Sequence, residues 1–177
     1  MSKIRSFFYN YRDDVNAMAA VEAALLFPTL ITMLVSMVDI GNGLLSNQKL
    51  ISAAQTTADL ITRESNPSYE QRDEAILAGQ ISMWPYSVDT YEYNMTSFEF
   101  DDDGSAEIVW EESSGLSMDG DITADLDDLG SPGEGVVVVV TRYVYQPFFT
   151  GFIIGPIEMQ EVAYLRGRKS PVVGLPS

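Results

Sequence analysis

The chain has 177 residues with no cysteine and no histidine, and it carries a formal net charge of −16 with a pI near 4.1. These facts exclude disulfides, thiolate or imidazole metal ligation, cysteine nucleophiles and a Ser-His-Asp triad. So acidic a surface repels a nucleic-acid backbone, and the length leaves room for one folded unit beside a hydrophobic stretch.

The first element in chain order is that stretch. Residues 17–40 read AMAAVEAALLFPTLITMLVSMVDI, with Glu22 and Asp39 as the only charges, one near each end. At about 1.5 Å per residue the run reaches roughly 36 Å, enough for a hydrocarbon core of about 30 Å. Its length argues against a core helix of a soluble protein. A removable secretory signal has the same outline, but Ser36 to Gly41 lacks the small-residue cleavage pattern such signals need. Pro28 is expected to kink the helix, because it has no amide hydrogen and crowds the carbonyl of Ala24. Lys3, Arg5 and Arg12 precede the run and only Lys49 follows closely, so the positive-inside rule puts the N-terminus in the cytoplasm and the remainder outside. The expected division is a cytoplasmic segment over 1–16, a transmembrane helix over 17–41, an extracytoplasmic domain over 42–166 and a flexible tail over 167–177.

Beyond the membrane the helical pattern continues, with Leu50, Ala53, Ala54, Ala58 and Ile61 recurring on one face. One long helix therefore leaves the bilayer. Asn66-Pro67-Ser68 reads as a stop and a fresh start, with Ser68 and Gln71 at capping-box spacing, and predicts a second, short helix ending before Pro85. Strand texture follows. Ser97–Phe100 and Ala106–Glu111 flank the turn-like Asp101–Ser105, and simple alternation gives each strand one mainly apolar face, with Ile108 and Trp110 together.

Gly115 to Gly135 reads as a loop, with one helical turn over Ala124–Leu129. Val136–Tyr145 is apolar on both faces at its start, as a central strand covered on both sides must be, and Pro147 ends it. Ile157–Leu165 is the last strand, with an imperfect alternation that suggests a bulge. The fold class is thus α+β, a long N-terminal transmembrane helix continuing into a domain with a small antiparallel sheet.

Between Glu64 and Glu134 lie 19 acidic residues and one basic residue, Arg72. Calcium favours such oxygens, but Asp101-Asp102-Asp103-Gly104 does not continue into the EF-hand spacing, and a solvated acidic face is the simpler reading. No two carboxylates stand apart as an acid-base pair, so no enzyme, catalytic residue, metal site or cofactor is expected. Pro147–Pro156 is unusually apolar for a loop. Packing under the sheet is the favoured reading, and a patch of Phe148, Phe149, Phe152, Ile153 and Ile154 offered to a partner or to the membrane is the other.

Ala19-Ala20-Val21-Glu22-Ala23-Ala24-Leu25-Leu26-Phe27-Pro28, followed by Val38-Asp39-Ile40-Gly41, resembles the TadE-like and TadG-like proteins of the tight-adherence pilus system, a branch of the type IV pilus and type II secretion machinery. Weaker echoes are Trp84-Pro85, Val109-Trp110, Arg142 to Pro147 and Leu165-Arg166-Gly167-Arg168. The resemblance implies a pseudopilin-like subunit of a bacterial inner membrane that helps assemble or prime an adhesive pilus, with other pilin-like subunits, the membrane machinery and the bilayer as partners. It also implies a candidate prepilin cleavage between Ala17 and Met18, placing Glu22 at the fifth mature position. Ala17 stands where the family has Gly, and Ala23 where it has an aromatic residue.

A carboxylate in hydrocarbon is costly and needs a partner, which an amino terminus on a neighbouring helix could supply. The alternative for Glu22 is a hydrated position at the membrane edge. In function, a pilus-assembly subunit competes with a membrane-tethered acidic module that captures a cation, a peptide or a wall component. Dependence on Glu22 separates the two.

Overall fold

The computed structural model describes residues 15–175 except 119, 121, 123–125 and 127–129. Lys3, Arg5 and Arg12, the side chain of Ala17 and most of the turn expected over Ala124–Leu129 lie outside them.

Helix α1 runs from Val15 to Ile61 without a break, 47 residues through Pro28. Its two halves have opposite surroundings. From Met18 to Leu34 every side chain is exposed, and an 18-residue window of the helix reaches a mean hydropathy of 2.0, enough to cross a membrane by length and composition. Shielding begins at Val35 and Ser36, which are half-buried, and from Asp39 one face is buried at 39, 43, 46, 50, 53, 57 and 61. Steps of three and four keep those positions in one stripe. Small residues at Gly43, Ser46, Ala53 and Ala54 let the sheet approach; a Cβ on Gly43 would meet the ring of Tyr145 at 3.4 Å.

Helix α2, Tyr69–Ser82, starts at the expected capping box. The Gln71 amide donates to the Ser68 hydroxyl at 3.3 Å, and the Ser68 amide donates to the Gln71 side chain at 2.9 Å. It folds back along α1. Gly79 sits at the crossing, where an added Cβ would run into the Thr57 hydroxyl. Buried Arg72 clamps α2 to the sheet. Its guanidinium lies over Tyr69 at 4.6 Å and Trp110 at 5.6 Å, with Nη1 2.5 Å from Glu112.

Strands β1 (Glu92–Phe100), β2 (Ala106–Ser114), β3 (Gly135–Tyr145) and β4 (Ile157–Leu165) form one antiparallel sheet in the order β2-β1-β3-β4. One face carries Met95, Trp110, Val137, Val139 and Ala163 onto α1 and α2. The other carries Phe98, Phe100, Val136, Val138 and Val140 beneath Leu116, Ile122 and Leu126 of the long β2–β3 connection. The valine run of β3 is covered on both sides, as its composition requires.

Three expectations change. The register of β1 on β2 passes from Ser97↔Trp110 to Phe98↔Ile108, so Val109 is the extra residue of a bulge. The bulge sends Trp110 toward the helices and leaves Ile108 exposed on the opposite face, against the shared face expected of them. In β4 the register is unbroken over all nine pairs, so the bulge expected there is absent.

The tail after Gly167 is packed rather than flexible over its described residues. Val173 is buried in the main core, and its carbonyl accepts from Ser97 Oγ at 2.7 Å and from the Trp110 indole at 3.0 Å. The Arg168 amide donates to the Thr62 carbonyl and the Gly174 amide to the Ser65 carbonyl. These bonds close the end of the domain far from the apolar span.

Candidate functional site

The most constrained feature lies where α1 enters the domain. Asp39, only 2% exposed, points its carboxylate at the loop after β3. It accepts the amides of Phe148 at 3.0 Å, Phe149 at 2.9 Å and Thr150 at 2.6 Å, and the Thr150 hydroxyl at 2.8 Å. The three amides belong to the turn 148–150 that leads into α3, the single helical turn Gly151–Ile154. The carboxylate holds them with charge-assisted bonds. Tyr145 adds a hydroxyl bond to the Asp39 carbonyl at 3.0 Å, and Tyr86 another to the Asn42 carbonyl one turn on.

The loop so held presents its apolar side chains outward. Phe148 is 84% exposed and Phe152 87%, with Ile153 and Ile154 also exposed. The favoured expectation that this segment packs as core is therefore overturned, because Asp39 anchors its backbone while its side chains find no place beneath the sheet. Phe148 and Phe149 meet edge to face at 4.9 Å between ring centres. Beside them an apolar groove of about 280 Å³ runs between Ile40 and Leu44 of α1 and Ile154, Ile157 and Met159. On the Tyr86 side, Trp84 stands 76% exposed.

Of the residues singled out in the sequence, Met18, Glu22 and Pro28 lie on the exposed half of α1. Glu22 precedes Asp39 by 17 residues, roughly 26 Å along the axis, so the two carboxylates do not form one site. Thr32 returns its hydroxyl to the Pro28 carbonyl at 2.8 Å, a bond that satisfies a polar group inside an apolar helix.

Several acidic residues of the domain are engaged at separate places. Asp101 accepts the amides of Asp103 and Ser105, Glu111 accepts from Asn94, and Glu92 pairs with Arg142. The amide of Ser131 and then Arg166 hold the Glu134 carboxyl below its ordinary value. Hydrogen bonding from Arg63, with the charge of Arg168, does the same for Asp59. Among the described residues no group of three or more acids is disposed to hold a metal ion.

A largely exposed apolar helix half of 21 residues ahead of Asp39, continuous with a helix that docks on a four-stranded sheet, defines a single-pass, membrane-anchored protein with an α+β head. Residues 17–59 match the family model described as TadE-like protein, so a TadE-like domain is present over the span and most of its docked stripe. No curated protein and no solved structure matched the chain.

Proposed function

We propose that the chain is a minor pilin-like subunit, or scaffold, in assembly of an adhesive tight-adherence pilus. It works from a bacterial inner membrane, with its N-terminus cytoplasmic and its head periplasmic. The carrying observation is the TadE-like match over residues 17–59, which takes in the free apolar span and much of the stripe that grips the head. A helix of this kind offers a lateral surface to other pilin-like helices and to the assembly machinery. Glu22, exposed on it, is the residue for polar pairing with a neighbouring amino terminus.

The test is genetic and biochemical together. Loss of the chain should abolish surface pili, and the parent should restore them. Glu22→Ala should insert normally, since it removes a penalty of up to about 3 kcal/mol at mid-helix and less near an end, yet it should reduce pilus output and co-purification with partner subunits. A C-terminal reporter should be active only outside the cytoplasm. Pili unaffected by loss of the chain would overturn the proposal.

A further inference from the structure

The loop Pro147–Pro156 leaves Phe148, Phe152, Ile153 and Ile154 exposed, yet its backbone is fastened at Asp39, where the apolar span ends. That span, Met18–Val38, covers about 31 Å, the thickness of a hydrocarbon core, so Asp39 marks the level at which the helix leaves the bilayer. Phe148 and Phe152 project from a backbone hydrogen-bonded to that same residue. The Tyr86 hydroxyl reaches Asn42, one turn further on, and exposed Trp84 lies two residues before it. Aromatic side chains gather at that depth in membrane proteins, because their rings tolerate both water and acyl chains.

We infer that the Pro147–Pro156 loop is a lipid-inserted wedge, with Phe148, Phe152 and Ile153 in the headgroup and upper acyl region and Trp84 resting on the interface nearby. The partner is the bilayer because the patch is continuous with the membrane span, Ile40 and Leu44 of α1 lining the same groove as Ile154 of the loop. The head's 19 acidic residues between Glu64 and Glu134 oppose an anionic surface, so apolar contact must supply the attraction. Asp39 is a positioning residue: buried and bonded to three successive loop amides, it sets the depth of the wedge relative to the span. The inference rests on the membrane-anchored reading and adds a second point of contact, which fixes the rotation of the head about the helix.

The absence of cysteine allows one thiol to be placed at will. The full chain, reconstituted at one copy per nanodisc, is labelled with an environment-sensitive fluorophore at Phe152→Cys, at Leu30→Cys in the span, or at Asp102→Cys on the hairpin tip. The label at 152 should be blue-shifted, quenched by lipids spin-labelled near the headgroup and shielded from aqueous iodide, while the label at 102 behaves oppositely. Asp39→Ala should move the label at 152 toward the aqueous pattern. Lipid quenching at 30 with an aqueous pattern at 152 overturns the wedge alone. Aqueous patterns at both overturn the anchor with it. A blue shift at 152 that needs several copies per vesicle overturns the lipid assignment in favour of a second copy of the chain.

Discussion

Replacing Asp39 tests the junction most directly. In Asp39→Ala four hydrogen bonds vanish: the amides of Phe148 and Phe149, which are partly buried, and the amide and hydroxyl of Thr150, which are buried. The Thr150 amide cannot recover its bond from water and costs about 1–3 kcal/mol unsatisfied. The two partly buried amides can rehydrate and lose about 0.5–1.5 kcal/mol each, while relief of a buried charge offsets part of the total. A net loss of about 2–4 kcal/mol follows, which lowers the melting temperature of a protein this size by roughly 4–15 °C.

Asp39→Asn is the informative companion. One carbonyl oxygen can still serve the three donors that Oδ2 accepts, but the new amide then faces the Phe148 amide, donor to donor. Its loss should be about half that of the alanine variant. Thermal unfolding in nanodiscs gives the order of the three proteins, and amide exchange at residues 148–150 locates the effect. An alanine variant that melts like the parent, with those amides still protected, would refute the clasp.

Other perturbations probe the head and its tail. Gly79→Ala should destabilise despite a helix-propensity gain of about 1 kcal/mol, because the new methyl meets the Thr57 hydroxyl at the helix crossing; in a Thr57→Ala background the same change should become neutral or favourable, read by a double-mutant cycle of melting temperatures. Asp59 and Glu134 have folded pKa values below their ordinary 3.8 and 4.5, so the stability they contribute is complete above those values and is lost as pH falls through the lower folded ones. Exchange of the Arg168 amide should therefore quicken below about pH 4, and Asp59→Asn should flatten much of that dependence.

What could be read from the sequence was whatever is periodic or locally capped. The stripe Leu50-Ala53-Ala54-Ala58-Ile61, the Ser68/Gln71 box and the doubly covered valines of β3 each carry their signal within a few residues, and each is found where that signal puts it. The rest depends on distant partners. Asp39 looks like a charge at a membrane edge, and its three amides lie 109 to 111 residues away. The strand around Trp110 fits alternation in either of two registers, and only pairing with β1 selects the bulge at Val109. Val173 sits in a segment rich in glycine, proline and serine that shows no period, yet it is buried in the main core and its carbonyl accepts from Ser97 of β1 and Trp110 of β2. The apolar loop read as core because burial is the usual fate of three phenylalanines and two isoleucines, and no local pattern distinguishes a loop that covers a sheet from one that leaves it.

The continuity of α1 bears on how the protein carries load. A pull along the membrane span enters the head through the same helix, with no linker to absorb it, and acts lengthwise on the stripe from Asp39 to Ile61. Contacts arranged along the direction of pull resist together, as a lap joint does, whereas contacts at a hinge would peel one after another. The tail bonds at Thr62 and Ser65 lie at the far end of the joint and the Asp39 clasp at the near end, so both ends are pinned against the first slip. A head built this way resists a pull on its anchor along the whole length of the joint.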